Sequence, residues 1–265
     1  MTQPLRGDLT GKVAIVTGST QGIGEATARL VLAWGGAGVV ITGRNRERGE
    51  AVARSLQSES GKAVFVQSEL SDVAAPRRIL EACGETFGRV DCLVNAAANT
   101  ERASLLDAKP GFIDDMFATN VRAPFLLMQG AARMMRQAGN GGAMVNILSM
   151  NAHCGTPELA VYSATKGALA TLTRNAANAL KGDRIRVNGI NLGWVDTPAE
   201  HVVQEKTSPY GKRWLEEANR TRPFGRLIHA EEVAELAAYL LSENAGVMTG
   251  ALIDYEQRVL GAPEG

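Results

Sequence analysis

Short unbroken apolar runs recur along the chain, and each is followed by a stretch with apolar positions every three or four residues. The runs are KVAIVTG from Lys12, AGVVITG from Ala37, KAVFVQ from Lys62, VDCLVNA from Val90, AMVNIL from Ala143 and IRVNGI from Ile185. Apart from IRVNGI they lack the apolar–polar alternation of a half-exposed strand, and each is read as a strand covered on both faces. Between them, GIGEATARLVLAW, RERGEAVARSLQSE, DVAAPRRILEACGETF, GFIDDMFATNVRAPFLLMQGAARMMRQ and VYSATKGALATLTRNAANALK carry helical spacing. Strand and helix in regular alternation predict an α/β fold. It is a doubly wound parallel sheet with helices on both faces, joined by right-handed crossovers.

No repeat, low-complexity tract or Pro/Gly linker divides the chain, so residues 1–265 are expected to form one domain. The long interruption is the polar segment 194–232, which follows a strand and carries helical fragments. Placed at the carboxyl edge of the sheet, it is expected to act as a substrate lid. Composition narrows the partners. Lysine plus arginine number 28, as do aspartate plus glutamate, and a net charge of zero argues against nucleic acid. No apolar run reaches the roughly 20 residues that span a bilayer, and the N-terminus MTQPLRGDLTGK lacks the blocks of a signal peptide. A cytoplasmic protein with no membrane partner is expected. The three cysteines, Cys83, Cys92 and Cys154, have no CxxC spacing, and the three histidines lack ligand spacing, so neither a disulfide framework nor a metal site is expected.

The first strand runs into TGSTQGIGEATARL, with glycines at 18, 22 and 24. Such a turn lets backbone amides approach a pyrophosphate at a helix N-terminus, where the helix dipole favours negative charge. Gly18, Ser19, Gln21, Gly22, Ile23 and Gly24 are therefore candidate cofactor contacts. The second strand ends in ITGRNRERGE, with Gly43 where an acid would read a ribose 2′-hydroxyl and Arg44 directly after it. An arginine there suits a 2′-phosphate, so NADP(H) is expected over NAD(H), which stays open as the alternative.

In VYSATKG, Tyr162 and Lys166 lie one helical turn apart on the same face. A phenol titrates near pH 10 in water, and an ammonium beside it favours the phenolate, bringing it into use as a general acid or base. Ser149 ends the fifth strand in NILS, where its hydroxyl can steady a carbonyl. Asn120 interrupts a long helical stretch as a poor helix former, the mark of a bend or a water site.

With TGSTQGIG, LVNAAA, ATN, NILS, YSATK and NLGWVDT, the chain resembles the short-chain dehydrogenase/reductase family over nearly its whole length. The resemblance implies a Rossmann-type sheet of about seven strands, the last at GALIDYEQ. It implies an enzyme moving a hydride between a nicotinamide cofactor and a carbonyl or secondary alcohol. Tyr162 would be the acid/base, Ser149 the carbonyl anchor, Asn120 the holder of a relay water, and Lys166 the ligand of the nicotinamide ribose. Asn95 and Ala97 would lie along the cofactor, Glu69 and Leu70 beside the adenine, and Gly193, Val195 and Thr197 around the carboxamide. Departures from the family pattern are Ala96 and Ala98 in VNAAAN, Leu192 before Gly193, Glu69 in place of an aspartate, and DYEQ where Asp-Gly-Gly is common.

Under the same geometry Asn99, Thr100, Asn151, His153, Cys154 and Trp194 face the substrate, with Glu200 and His201 approaching from the lid. The polarity of that set suggests a small sugar, polyol or hydroxy ketone. A 3-oxoacyl or other hydrophobic ketone is the alternative. The family's pairing surfaces fall on residues 116–135 and 164–180, so a homotetramer or homodimer is expected. Two rivals are a catalytically idle nucleotide-binding sensor and an extended-type sugar epimerase; chains of the latter kind usually carry a larger C-terminal domain, for which 265 residues leave little room.

Overall fold

The computed structural model describes residues 7–57 and 61–262. In chain order the elements are β1 (Val13–Val16), α1 (Gly22–Ala33), β2 (Gly38–Gly43), α2 (Arg46–Leu56), β3 (Lys62–Gln67), α3 (Ala75–Phe87) and β4 (Cys92–Asn95). Then come α4 (Pro110–Phe117), α5 (Ala123–Ala138), β5 (Gly142–Ile147), α6 (Ala160–Leu180), β6 (Ile185–Leu192) and β7 (Val195–Asp196). The chain closes with α7 (Pro198–Thr207), α8 (Trp214–Arg220), β8 (Ile228–His229), α9 (Ala230–Leu241) and β9 (Leu252–Tyr255).

Seven strands form one sheet in the order β3-β2-β1-β4-β5-β6-β9, every pair parallel. The winding reverses between β1 and β4, and the crevice at their carboxyl ends is where such sheets hold ligands. Side chains alternate along each strand and so feed two cores. Ala14, Val16, Val39, Ile41, Val94 and Val145 pack under α1, α2 and α9. Val13, Ile15, Val40, Leu93, Met144 and Val187 pack under α3, α5 and α6. Both faces of the central strands are buried, which is why VAIV and GVVI read as continuous apolar runs, whereas the edge strands β3 and β9 stay partly exposed.

Two features depart from the reading of the chain. The helix read from residue 111 to 137 is two helices, with a five-residue π turn, Ala118–Arg122, between them. Helix α9 was not read at all. It buries Val233, Ala237, Ala238 and Leu240 against α1 and is opened by a capping box in which the Glu232 carboxylate accepts from the His229 amide at 2.8 Å. Its first turn takes up residues 230–232, the end of the polar segment read as one unit. The rest of that segment is clasped at both ends by the pairing of β7 with β8.

A buried polar chain ties the sheet to α6 behind the site. Asn95 Nδ2 donates to Asn146 Oδ1 at 2.8 Å, and Asn146 Nδ2 donates to Thr173 Oγ1 at 2.8 Å. Asn146 is fully buried and Asn95 is 2% exposed. Replacing Asn146 with Ala strips the Asn95 amide of its partner and opens a small void, at a cost of about 2–3 kcal/mol. Thermal melting is expected to fall by about 5–10 °C, and an unchanged melting temperature would refute the assignment.

Candidate active site

The turn between β1 and α1 is held by close backbone approach. Gly18 has φ of +64°, and a Cβ on it would lie 2.8 Å from the Cα of Ala97, so the turn presses on the chain leaving β4. A Cβ on Gly24 would lie 2.5 Å from the Gly18 carbonyl oxygen, so α1 starts directly against the turn. Thr17 Oγ1 accepts from the amides of Ala96 and Ala97 at 3.1 and 3.2 Å, which locks the two segments together. At the N-cap, Gln21 is extended and makes no side-chain cap. The first-turn amides of a 12-residue helix therefore meet no capping side chain, and the dipole adds positive potential there. The carbonyl oxygen Oδ1 of buried Asn95 has no partner among the described residues. These features suit the pyrophosphate and ribose of a dinucleotide. Ser19 behaves differently from its neighbours: it is fully buried, donating to the Val16 carbonyl at 2.6 Å and accepting from the Thr42 amide at 2.9 Å. Its side chain latches β1 to β2 and does not reach the surface.

At the end of β2 a Cβ on Gly43 would strike the Thr20 side chain at 2.6 Å, so an acid at that position would have to displace Thr20. Arg44 follows with its side chain 80% exposed, its Nη1 3.8 Å from Glu69 Oε2. A pair that open adds little to stability, which leaves the guanidinium available. Gln67 holds the loop by donating to the Arg44 carbonyl at 2.9 Å, and Asn45 caps α2 by accepting from the Arg48 amide at 2.8 Å. Leu70 is buried in the core.

On the other side of the crevice, α6 carries Tyr162 and Lys166, and the end of β5 leads to Ser149. Lys166 is 2% exposed, and its ammonium donates to the Ile147 carbonyl at 2.8 Å, 5.6 Å from the centre of the Tyr162 ring. Burial lowers its pKa to about 8. Tyr162 differs from the expectation of a phenol brought down by its lysine. Burial pushes it up to about 12, a hydrogen bond with Ser149 pulls it partly back, and the Glu200 carboxylate raises it further. The reason is geometric: Lys166 spends its proton on a backbone carbonyl, and the phenol is held as the neutral acid. The lysine also carries a stability consequence. Its folded pKa lies below its unfolded value, so the buried charge opposes folding below pH 8, and that penalty fades between pH 8 and about 10.5. Lys166→Met should be more stable than wild type at pH 7 in urea unfolding, with the gap closing by pH 10; a constant gap would refute this.

Asn120 sits in the π turn, 1% exposed. Its Oδ1 accepts from the Asn99 amide at 2.7 Å, and its Nδ2 donates to the Asn99 carbonyl at 2.9 Å and to Thr165 Oγ1 at 3.1 Å. Thr165 in turn donates to the Tyr162 carbonyl at 2.7 Å. Asn120 therefore couples the loop after β4 to the helix that bears the tyrosine. The wider turn supplies the room for this, a frequent use of π turns at functional sites. Ser149 is 7% exposed and accepts from the Asn151 amide at 3.1 Å.

The polar segment meets this site through its first residues. Thr197 caps α7 by accepting from the Glu200 amide at 3.2 Å, and its methyl lies 3.4 Å from where a Gly22 Cβ would stand. Val195 is buried, and the Gly193 amide donates to the Tyr255 carbonyl at 3.0 Å. Trp194 lies 5.8 Å from Trp214, centre to centre, and His201 stacks edge-on to Trp214 while bonding Asp196 at 2.7 Å. His153 is exposed, 3.5 Å from both Asn191 Nδ2 and Asp254 Oδ1. Cys154 is exposed, and with Ser163 and Leu105 it lines an open groove of about 380 Å³. Sequence reading passed over two participants. Thr165 is the hidden link from Asn120 to α6, and Gln204, 8% exposed on α7, grips Glu200. Thr165 had only its place beside Tyr162 as a signal, and Gln204 only its spacing of four from Glu200.

A parallel sheet with an uncapped helix at a glycine turn, facing a buried lysine and a shielded phenol, defines a nicotinamide-dependent oxidoreductase. The family model described as Enoyl-(Acyl carrier protein) reductase matches residues 18–256, and the chain belongs to the short-chain dehydrogenase/reductase family. An uncharacterised oxidoreductase of Methylorubrum extorquens is 34% identical over 246 residues, covering 93% of this chain and 96% of the relative. An L-rhamnose 1-dehydrogenase (NAD(P)(+)) of Azotobacter vinelandii is 34% identical over 247 residues, covering 92% and 94%. The crystal structure of L-sorbose reductase from Gluconobacter frateurii, complexed with NADPH and L-sorbose, aligns with a TM-score of 0.89 at 27% identity, covering 98% of this chain and all of that one. The protein is an NAD(P)-dependent enzyme acting on CH–OH groups. No helix among the described residues is long and apolar enough to cross a membrane.

Proposed function

We propose that the enzyme interconverts a carbonyl and a secondary alcohol on a small polyhydroxylated substrate, with NADP(H) as the preferred cofactor. The observation that supports the chemistry is the linkage of four groups: Lys166 bonds the Ile147 carbonyl at the end of β5, Ser149 bonds the Tyr162 phenol, and Asn120 reaches the tyrosine's helix through Thr165. When bound, the nicotinamide gives or takes the hydride. Tyr162, kept neutral by burial, gives its proton to the carbonyl oxygen as the carbon is reduced and takes it back in the reverse direction. Ser149 donates to the same oxygen and fixes it within reach of the phenol. Lys166 exchanges its bond to the Ile147 carbonyl for ribose hydroxyls, and Asn120 holds the loop around Asn99 at the far wall.

The polar character of Asn99, Asn151, His153 and Glu200, the residues proposed to face the substrate, supports a hydroxylated substrate, as do the sugar substrates in the names of the two relatives. Arg44 beside an acid-free Gly43 supports NADP(H). The exposed apolar residues Ile113, Phe117 and Phe125 along α4 and α5 support assembly into a homodimer or homotetramer. A binding protein without turnover gains nothing from a desolvated Lys166, so the enzymatic reading stands ahead of it.

A panel of sugars, polyols and simple ketones assayed with both cofactors, followed by absorbance of the reduced nicotinamide, tests the substrate class. Preference for unsubstituted or acyl ketones over hydroxylated ones would overturn it. For the cofactor, Arg44→Ala is expected to weaken NADPH binding about tenfold and to leave NADH nearly unaffected, since only a 2′-phosphate meets the guanidinium. Equal losses for both nucleotides, read by fluorescence titration, would refute the NADP(H) assignment.

A further inference from the structure

One carboxylate in the site is built in more firmly than the rest. Glu200 Oε1 accepts two hydrogen bonds, from Trp194 Nε1 at 2.8 Å and from Gln204 Nε2 at 2.7 Å. Its amide is fixed by the Thr197 cap, and Trp194 rests on the small apolar cluster of Trp214, Ala218 and Leu227. Both bonds go to one oxygen. The other, Oε2, has no hydrogen bond and no ion pair among the described residues. The Arg222 guanidinium lies 5.5 Å from the centre of the Trp194 ring and makes no ion pair with Glu200 among the described residues. Thr197, whose hydroxyl accepts from the Glu200 amide, stands with its methyl 3.4 Å from where a Gly22 Cβ would lie, so Glu200 sits where α7 meets the glycine turn, and its carboxylate raises the Tyr162 phenol.

An oriented, unpaired carboxylate oxygen accepts only, so it favours a ligand that brings a donor and repels one that brings a negative charge. From this geometry we infer that Glu200 is the specificity-determining residue of the substrate pocket. Its Oε2 accepts a hydrogen bond from a substrate hydroxyl near the reacting carbon, and it excludes substrates that carry a carboxylate there. The inference rests on the proposed function above and names the group that makes the pocket select hydroxylated ketones. Trp194, held between Arg222 and Trp214, keeps its Nε1 on Oε1 and so fixes the carboxylate in place. Burial of a matched hydroxyl repays the pocket, whereas a ketone without one leaves the carboxylate unanswered.

The test uses the full-length enzyme with NADPH and three ketones: L-sorbose, cyclohexanone and 4-oxocyclohexanecarboxylate. Values of kcat/KM are compared for wild type, Glu200→Leu and Glu200→Gln, and are read as ratios to cyclohexanone so that a general change at Tyr162 cancels. In Glu200→Leu the sorbose ratio should fall about 10- to 100-fold and the oxo-carboxylate ratio should rise about tenfold. Glu200→Gln, which still hydrogen-bonds a hydroxyl but has no charge, should keep most of the sorbose ratio while sharing the rise for the oxo-carboxylate. It also retains contacts with Trp194 and Gln204, so it covers the case in which the leucine variant fails to fold. Ratios that stay constant in the variants, with sorbose turned over by wild type, overturn the role of Glu200 alone. Failure of the wild type to reduce any hydroxylated ketone while reducing cyclohexanone overturns the proposed substrate class and this inference with it.

Discussion

Tyr162→Phe is expected to lower kcat by about 10²- to 10⁴-fold, the range contributed by a positioned general acid. The substitution removes one hydroxyl and keeps the ring in its half-buried place, so NADPH binding and thermal melting should stay near wild-type values. This separation matters because Tyr162 has both a structural and a chemical neighbourhood. Its backbone carbonyl accepts from Thr165, and that bond to the Asn120 chain survives the change. Only the proton held on the phenol is lost. Steady-state kinetics with the best substrate, alongside fluorescence titration of NADPH, decides the matter, and turnover equal to wild type would mean another group supplies the proton.

The second large effect belongs to the glycine turn. In Gly24→Val the new Cβ would stand 2.5 Å from the Gly18 carbonyl oxygen and 2.9 Å from the Ser19 Cα. These are backbone atoms, and Ser19 is itself bonded into the ends of β1 and β2, so the turn cannot yield locally. Helix α1 must back away, carrying its first-turn amides off the crevice. Binding of NADPH is expected to weaken about 100-fold or more, and overpacking of this kind costs about 1–3 kcal/mol in stability. Gly111→Ala is the control, since a Cβ there meets nothing within 4 Å. If Gly24→Val bound NADPH as the wild type does, α1 would not be the pyrophosphate-facing element.

The sheet was readable in the sequence because its five central strands are buried on both faces. That single physical condition writes continuous apolar runs such as VAIV and GVVI into the chain. Helix α9 escaped notice because it begins within the polar stretch and is rich in alanine, whose weak apolar signal hides a fully buried stripe at Ala234, Ala237 and Ala238. The proposed catalytic residues are marked by their spacing, yet the state of the phenol is not. Spacing puts Lys166 one turn from Tyr162, but only the fold shows its ammonium spent on Ile147 and the ring desolvated. Ser19 gives the same lesson in reverse, since its place in the phosphate-binding motif does not disclose that its hydroxyl faces inward. The grip on Glu200 joins α7 to the loop after β6, and its strength depends on which carboxylate oxygen the donors choose. No one-dimensional pattern records that choice.

The five-residue turn at Ala118–Arg122 sets a rule of arithmetic for the site. Five residues go round where an ordinary helix would use four, and the surplus is what turns the Asn120 amide toward both backbone groups of Asn99. Loss of any one residue in this span would favour a regular helix and swing Asn120 away from the loop, even if the asparagine itself were kept. The segment therefore tolerates exchange of residue types far better than change of length, and relatives or engineered chains that differ there by one deletion would lose the link while still displaying its motif.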